Sequence, residues 1–209
     1  WKALFFDFHT MPANPDVGKE FDMKAIVDQF ERIGAEFVVF PARCNLGTAY
    51  YYTDIGIRHA AMERDLLKEL TEECHKRNIL ISAYINAGLS HEEGLQKREW
   101  QVLRKDGRTY GSDPMNNFFR QMCYDTEYGD HLVNMAVEAV QHCGVDGIFI
   151  DCLQTQPCIG IECLDKMAKE GVDWKDEDEL YAYNYRKIIK MAKRISEAIK
   201  KIKPDALQY

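Results

Sequence analysis

The chain has 209 residues, of which 46% are hydrophobic and 29% are charged, so it can bury a sizeable core and is not a disordered sequence. Its net charge of -7 argues against a nucleic-acid partner, which would require a basic face, and no apolar run reaches the length of a membrane span. Its seven cysteines are scattered singly, which is typical of reduced thiols in a cytoplasmic protein rather than of a disulfide framework.

Short apolar segments alternate with amphipathic ones along the chain. The apolar segments predict five strands, at 3–9, 36–40, 79–86, 145–151 and 206–209. Helical spacing predicts helices at 22–33, 64–77, 132–143 and 178–203, the last with a core side made of Tyr181, Tyr185, Ile188, Ala192, Ile195, Ile199 and Ile202. The region 88–129 shows no sustained period and is predicted to be one long functional loop, and 152–177 a polar loop.

This alternation of strands and helices requires a parallel sheet with right-handed crossovers. A doubly wound nucleotide-binding sheet should carry a glycine-rich turn or a phosphate loop after its first strand, and the residues after His9 contain neither. We therefore predict an α/β fold, namely a partial (β/α)8 TIM barrel of about four and a half β/α units with parallel strands. We expect it to be a single domain over 1–209 and a fragment of a longer protein.

The fourth predicted strand, at 145–151, ends on a carboxylate. Its apolar and β-branched residues are typical of a strand buried on both faces, and an unpaired charge is too costly to remain in such a core. Asp151 must therefore emerge at the rim of the sheet, where α/β proteins place their ligands. It is our first candidate for chemistry, and its alternative role is to cap the next turn.

Five groups of motifs carry a resemblance to a known family. They are DFH at 7–9; FPARC at 40–44 with YYT at 51–53 and GIRH at 56–59; RDLLKEL at 64–70 with CHKRNI at 74–79 and YIN at 84–86; WQVLRKDG at 100–107 with MCYD at 122–125; and VDGIFID at 145–151. In this order and spacing they resemble the amino-terminal half of a glycoside-hydrolase barrel related to α-L-fucosidases. The resemblance is closer still to the hypothetical glycoside-hydrolase-like proteins grouped near them.

The resemblance implies a retaining glycosidase with Asp151 as nucleophile, because the aspartate that closes a strand of this type has that role in α-L-fucosidases. The sequence departs from the fucosidase pattern after strands one and two. It has His9-Thr10 in place of a His-Trp pair, and Arg43-Cys44-Asn45 in place of a His-His-Asp-Gly run, so the sugar remains open. Retaining hydrolysis also needs a second carboxyl group about 5 Å away, expected from a later strand, with Glu162 as the internal alternative.

Polar side chains also occupy the ends of the first three predicted strands. By analogy with other barrel rims, Asp7 and His9 are predicted to contact sugar hydroxyls, the alternative being that they pair with each other in the core. Arg43 ends the second strand, and Tyr84 and Asn86 end the third, where an apolar parallel sheet would not otherwise carry polar groups. We predict that these three also line the substrate pocket.

Other candidates lie in loops. His59 is either a sugar ligand or a surface histidine, and Trp100 is either a stacking platform for a pyranose ring or an anchor in the core. Cys152, Cys158 and Cys163 crowd the loop after the fourth strand and could bind zinc with one more ligand. Their spacing is not that of paired Cys-x-x-Cys motifs, so buried thiols are the default interpretation, and no cofactor is predicted.

Two other functions stay open alongside the glycosidase. One is a carbohydrate-binding barrel without catalysis, and the other is a metal-dependent hydrolase that uses Asp7 and His9, although such enzymes usually have more histidines at strand ends. The expected partners are a carbohydrate substrate and, through the parent protein, further copies of the chain. Neither nucleic acid nor a membrane is expected, and the expected compartment is the cytoplasm.

Overall fold

The computed structural model describes residues 2–7, 9–109 and 120–209. Its strands are β1 (Ala3–Phe5), β2 (Phe37–Arg43), β3 (Thr48–Ala49), β4 (Ile57–Arg58), β5 (Leu80–Asn86), β6 (Gly147–Asp151) and β7 (Leu207–Gln208). Its helices are α1 (Met23–Arg32), α2 (Leu66–His75), α3 (His91–Gln96), α4 (Tyr128–Cys143), α5 (Ile161–Glu170) and α6 (Glu177–Ile202), with a 3-10 helix at Arg98–Trp100.

Five strands form a continuous parallel sheet in the order β1-β2-β5-β6-β7. The short strands β3 and β4 extend the sheet from the carboxyl end of β2, where Ala49 pairs with Arg43. The predicted α/β fold with a parallel sheet is thus confirmed. Each of the five strands lies beside its predecessor, whereas a doubly wound sheet would reverse its direction of growth at the first strand.

The two faces of the sheet have different surroundings, because side chains alternate between them along each strand. On one face, α1, α2, α4 and α6 cover Val38, Phe40, Ile81 and Ile148, and together they form the main core. On the other face, a separate aromatic cluster is formed by Phe37, Val39 and Tyr84, with Leu80, Phe149 and Leu207 packed against them. We call this second surface the aromatic face. Its outer members, Phe5 and Tyr209, are each 49% exposed.

Capping residues determine where several helices begin and end. Asp22 accepts a hydrogen bond from the N–H of Ala25 at 3.0 Å, and Asp65 accepts one from that of Lys68 at 3.2 Å. The last turn of α4 stops at Gly144, whose φ of 72° lies in the left-handed region that glycine tolerates. No helix within the described ranges has both the length and the apolar character needed to cross a membrane.

Two predicted loops contain helices, and one predicted strand is shorter than expected. The region 88–129 holds α3 and the 3-10 helix, which are too short to show a helical period, while 110–119 lies outside the described residues. The predicted polar loop 152–177 contains α5, whose buried positions are Cys163 and Met167. The first strand ends at Phe5 rather than at residue 9, and Trp1 and Phe8 are not among the described residues.

The predicted core side of α6 was wrong in its first half and at Ile202, which is 38% exposed. Tyr181 and Tyr185 are 59% and 53% exposed, whereas the buried positions of the helix are Leu180, Tyr183, Asn184, Lys187, Met191, Ile195 and Ile199. The helix begins at Glu177, one residue before the predicted 178, because the Asp176 side chain accepts the capping hydrogen bonds from the N–H groups of Asp178 and Glu179. A lysine and an asparagine inside the protein cannot be anticipated from a hydrophobic pattern.

Candidate active site

Asp151 is the last residue of β6 and is half-buried at the carboxyl end of the sheet. The parallel register pairs it with Asn86, the last residue of β5. The hydroxyl of Tyr84 donates a hydrogen bond of 2.5 Å to Asp151 Oδ2, and the N–H of Ala87 donates to the Asp151 carbonyl at 2.8 Å. The backbone and the carboxylate of Asp151 are therefore both held by the neighbouring strand.

Tyr84 is suited to act as a permanent donor to this carboxylate. Burial raises its pKa well above the ordinary value for tyrosine, and the hydrogen bond to Asp151 raises it further. Asn86 Nδ2 donates to the Tyr84 hydroxyl at 3.2 Å and so orients it. The Tyr84 hydroxyl therefore fixes the orientation of the Asp151 carboxylate at the strand end.

The residue after Asp151 has an unusual backbone. Cys152 has a φ of 54°, in the left-handed region that costs a non-glycine residue roughly 1–2 kcal/mol. Its thiol lies 3.5 Å from Asp151 Oδ2 and 3.4 Å from Asn86 Nδ2. Gly88 approaches the Cys152 carbonyl so closely that a Cβ at that position would lie 2.2 Å from the oxygen. Backbone strain of this kind is concentrated at functional sites.

Asp7 and His9 lie on the same side of the sheet as Tyr84. His9 Nε2 is 2.5 Å from Asp7 Oδ1, and the His9 ring meets the Tyr84 ring edge-on at 6.1 Å between centroids. A hydrogen bond with the Cys44 thiol raises the pKa of His9, burial opposes this, and the charges of Asp7 and Asp151 add to the increase. The structure thus brings five of the predicted site residues together: Asp7, His9, Tyr84, Asn86 and Asp151.

Cys44 is a residue of this region that sequence reasoning did not single out. It is buried directly after β2, where its thiol lies 3.4 Å from both the Thr48 and the Tyr50 hydroxyls. Burial disfavours the thiolate, but hydrogen bonds with His9, Thr48 and Tyr50 outweigh this effect and lower the pKa of Cys44 to about 7. The sequence did carry a signal for Cys44, because the residue lies at a strand end. Sequence reasoning missed it because all seven cysteines were interpreted together as scattered thiols.

Arg43 has no exposed surface. Its guanidinium lies 2.5 Å from Glu93 Oε2 and donates to the backbone carbonyls of Asn86 and Leu89. Glu93 also lies 2.7 Å from His131 Nε2, so this buried carboxylate has two cationic partners when the histidine is protonated. Arg43 therefore joins the carboxyl ends of β2 and β5 to α3, and its contact with a substrate stays a prediction.

His59 and Trp100 are likewise buried. His59 Nε2 lies 2.9 Å from the Met11 carbonyl, and Trp100 packs against the His131 ring with centroids 5.1 Å apart. Glu162, the internal alternative for the second carboxyl group, is half-buried in the first turn of α5. The predicted roles of these three residues in binding or catalysis stay predictions.

Two groups of side chains among the described residues have the spacing of metal ligands. They are Cys123, Cys158 and Cys163, and Asp65, His142 and Cys143. The cysteine group differs from the predicted one, because Cys123 takes the place of Cys152, which lies beside Asp151 instead. Neither group contains Asp7 or His9, so within the described ranges these two residues have no third ligand at metal-binding distance.

A cleft of about 500 Å³ lies beside the loop that follows β6. Its lining includes Arg104, Lys105, Thr155 and Pro157. Asp151 does not line this cleft, because its carboxylate is directed toward Tyr84 on the aromatic face. We therefore place the candidate site at the strand end rather than in the cleft.

Residues 22–152 match the model of a protein family described as hypothetical glycosyl hydrolase 6. This range is more than half of the chain. The chain belongs to the hypothetical glycosyl hydrolase 6 family. The matched range ends directly after Asp151 and contains Arg43, Tyr84 and Asn86. Among curated protein sequences, none matches this member of the family significantly.

Two of the solved structures similar to this family member are an alpha-L-fucosidase and an alpha-amylase. Alpha-L-fucosidase isoenzyme 2 from Paenibacillus thiaminolyticus is 26% identical and superposes with a TM-score of 0.91 over 100% of this chain and 32% of the fucosidase. Alpha-amylase from Geobacillus thermoleovorans, solved with acarbose, is 15% identical, with a TM-score of 0.56 over 99% of this chain and 45% of the amylase.

A third similar structure is the alpha-L-fucosidase AlfC from Lactobacillus casei. It is 15% identical, with a TM-score of 0.54 over 90% of this chain and 51% of AlfC, and another structure of AlfC is a complex with Fuca(1,6)GlcNAc. The predicted resemblance to glycoside hydrolases related to α-L-fucosidases is confirmed by the family and by the first of these structures. The chain spans 32% of the length of the Paenibacillus fucosidase.

Proposed function

We propose that the chain is the amino-terminal part of a (β/α)8 glycosidase barrel, a single domain over 1–209, and that Asp151 is its catalytic nucleophile. The observation that carries the proposal is the position of Asp151 at the end of β6, with its carboxylate held by Tyr84. The family and the fucosidase likeness support the class of reaction. The substrate class is a carbohydrate with a glycosidic bond.

The barrel is supported by the order and the chemistry of the sheet. Five parallel strands follow one another without inversion, as the strands of a (β/α)8 barrel do. Helices α1, α2, α4 and α6 pack on one face of the sheet, and the other face carries Phe37, Tyr84 and Phe149. In a closed barrel this aromatic face would become the packed interior, and Asp151 would emerge at the carboxyl rim, where barrel enzymes have their active sites.

The proposed reaction is retaining hydrolysis. An Asp151 carboxylate oxygen attacks the anomeric carbon and forms a glycosyl-enzyme ester, while an acid protonates the departing glycosidic oxygen. Water, deprotonated by the same acid/base residue, then cleaves the ester and regenerates the carboxylate. That second carboxyl group would come from a later strand of the barrel. His9 and Asn86, which flank Tyr84, would contact sugar hydroxyls.

The test is the Asp151→Asn variant of the full-length protein, assayed with a panel of aryl glycosides that includes an aryl α-L-fucoside. We expect kcat/KM to fall by roughly a thousandfold or more, because an amide cannot form the ester intermediate. The matched control is Asp165→Asn, an exposed carboxylate on α5, which should retain wild-type activity. Azide should restore turnover of Asp151→Ala and give a glycosyl azide.

Two outcomes would contradict the proposal. Unchanged hydrolysis by Asp151→Asn would exclude the nucleophile. A second outcome is that the wild type hydrolyses no aryl glycoside and that Asp151→Asn binds glycans as tightly as the wild type does. This outcome would favour a carbohydrate-binding barrel without catalysis.

A further inference from the structure

Three cysteines from separate segments meet beside the loop that follows β6. Cys123 precedes α4, Cys158 lies between β6 and α5, and Cys163 is in the first turn of α5. All three are buried, their sulfur atoms lie within 4.8 Å of one another, and the sulfurs of Cys123 and Cys163 are 3.2 Å apart. Sulfur ligands at about 2.3 Å from a tetrahedral zinc ion are about 3.8 Å apart, so the three sulfurs have the spacing of ligands to one ion.

Backbone donors around this cysteine triad favour negatively charged sulfur. The N–H groups of Leu103 and Gly160 lie 3.4 and 3.3 Å from Cys158 Sγ. Hydrogen bonds to the charged form of a thiol stabilise the thiolate, and the thiolate is the form that binds metals. Two such donors on one buried sulfur are more than packing in a core requires.

The positive charge beside the triad exceeds the negative charge of the nearest carboxylate. The buried Lys187 Nζ lies 3.9 and 4.0 Å from two of the sulfurs and 3.6 Å from Asp125 Oδ2. Asp125 is also bound by Lys166 Nζ at 3.0 Å. Two lysines thus share one carboxylate, and a buried ammonium group is costly unless its charge is balanced. Besides Asp125, the groups of the described chain that contact Lys187 and can supply negative charge are the sulfurs.

We propose that Cys123, Cys158 and Cys163 bind one zinc ion through three thiolates, with water as the fourth ligand. Three thiolates around a divalent ion carry one net negative charge, which balances the surplus positive charge of the two lysines beside Asp125. Binding forms three sulfur–zinc bonds and releases three thiol protons to solvent, and no atom changes its oxidation state. Asp125 does not contact the ion in this arrangement but positions Lys187 beside it.

A disulfide is a poorer explanation of the triad. A disulfide between Cys123 and Cys163, whose sulfurs are 3.2 Å apart, would need a bond of about 2.05 Å and an oxidant, and it would leave only neutral sulfur beside Lys187. The other group with ligand spacing has a different explanation. Asp65 caps α2 and accepts hydrogen bonds from the N–H groups of Lys68 and Tyr52, and it lies 2.6 Å from His142 Nε2.

The ion would hold the loop that follows the candidate nucleophile. Gln156, in the middle of this loop, donates from Nε2 to the Gly88 carbonyl at 3.2 Å and accepts at its own carbonyl from Lys187 at 3.4 Å. The triad would thereby fasten residues 152–160 to α5 and to the segment before α4. The inference rests on the triad and the lysines alone and does not depend on glycosidase activity.

The experiment measures metal in the full-length protein, purified with reductant and offered zinc. We expect one zinc per chain in the wild type and in the matched control Cys74→Ala, which removes a single buried thiol from α2. Cys158→Ser and the triple serine variant should lose at least nine-tenths of that zinc. Cobalt(II) in place of zinc should give a sulfur-to-cobalt charge-transfer band in the wild type and none in the triple variant.

Circular dichroism separates loss of the site from loss of the fold. If the serine variants do not fold, chelation of the wild type and reloading with cobalt supply the same readout. A folded, reduced wild type that takes up less than a tenth of an equivalent of zinc would overturn the proposal. So would zinc retained by the folded triple variant, or a native mass two hydrogens lower that reveals a disulfide.

Discussion

At the scale of single residues, Tyr84 connects β5 to the carboxylate at the end of β6. Its hydroxyl donates to Asp151 Oδ2 and accepts from Asn86, and its ring belongs to the aromatic cluster. The ring and the hydroxyl therefore have separable roles. The ring contributes to packing, and the hydroxyl places a proton donor on one lone pair of the proposed nucleophile.

Tyr84→Phe removes this donor and keeps the ring. We expect kcat/KM on aryl glycosides to fall about tenfold, because a hydrogen bond to a charged group is worth about 1.5–3 kcal/mol and part of it is replaced by water. Tyr181→Phe, on the exposed surface of α6, is the control, and equal kcat/KM values for the two variants would contradict the role.

The part of the site that the sequence could indicate is the part made by strand ends. Asp7, Tyr84, Asn86 and Asp151 each interrupt or end an apolar run, so their polarity is visible locally. The partners of buried groups are not visible in this way. Arg43 meets Glu93, which lies 50 positions along the chain, and no periodicity marks a glutamate in a short helix as a buried counterion.

At the scale of elements, the buried pair of Arg43 and Glu93 joins β2 to α3. Burial by itself would raise the pKa of Glu93, but the charge of Arg43 and the hydrogen bond with His131 outweigh it and lower the pKa to about 2. The carboxyl is more acidic in the folded chain than in the unfolded chain, where its ordinary value is 4.5. Its stabilising contribution is therefore complete above pH 4.5 and is lost as the pH falls toward 2.

We expect acidification from pH 4.5 to 2 to remove about 3 kcal/mol of unfolding free energy through Glu93. The measurement is urea unfolding at several pH values for the wild type and for Arg43→Met/Glu93→Leu, which removes both charges and lacks this part of the pH dependence. Glu93→Gln alone should be about 4 kcal/mol less stable at neutral pH, because it leaves Arg43 buried without its counterion. Identical pH dependence in the wild type and the double variant would contradict this assignment.

The elements that sequence patterns missed are those whose packing is not purely apolar. In α5 the buried positions are Cys163 and Met167, and in α6 Lys187 lies inside because Asp125 and the cysteine triad face it. A hydrophobic pattern assigns a lysine to the surface. The predicted buried face of α6 was therefore displaced by about one residue from the observed one. By contrast, α1 was predicted well and α4 was predicted well at its carboxyl end, since Asp22 and Gly144 mark these termini and the cores are apolar. The start of α4 at Tyr128, four residues before the predicted 132, was missed.

At the scale of the whole molecule, the aromatic face is buried at its centre, at Phe37, Val39 and Tyr84, and exposed toward its edges. Within the described residues, the edge strands β1 and β7 each pair with one strand. Phe5 and Tyr209, on this face, are each 49% exposed. Exposed apolar patches and open sheet edges are the surfaces through which proteins associate. In the proposed barrel both would be covered by the later strands, so the behaviour of the 209-residue chain by itself reports on that proposal.

We expect the 209-residue chain, produced by itself, to self-associate, and sedimentation velocity over a range of concentrations should show its mean mass rising. Phe5→Thr should weaken the association, because it removes an aromatic ring from the exposed face while keeping a residue that suits a strand. Tyr181→Thr, which changes an aromatic residue of similar exposure on the helical surface, should not weaken the association.

The full-length protein should show no association that depends on Phe5, because the closed barrel would bury that ring. A 209-residue chain that stays monomeric at every concentration would show that the exposed edges of the aromatic face need no cover, and this would weaken the argument for closure by later strands.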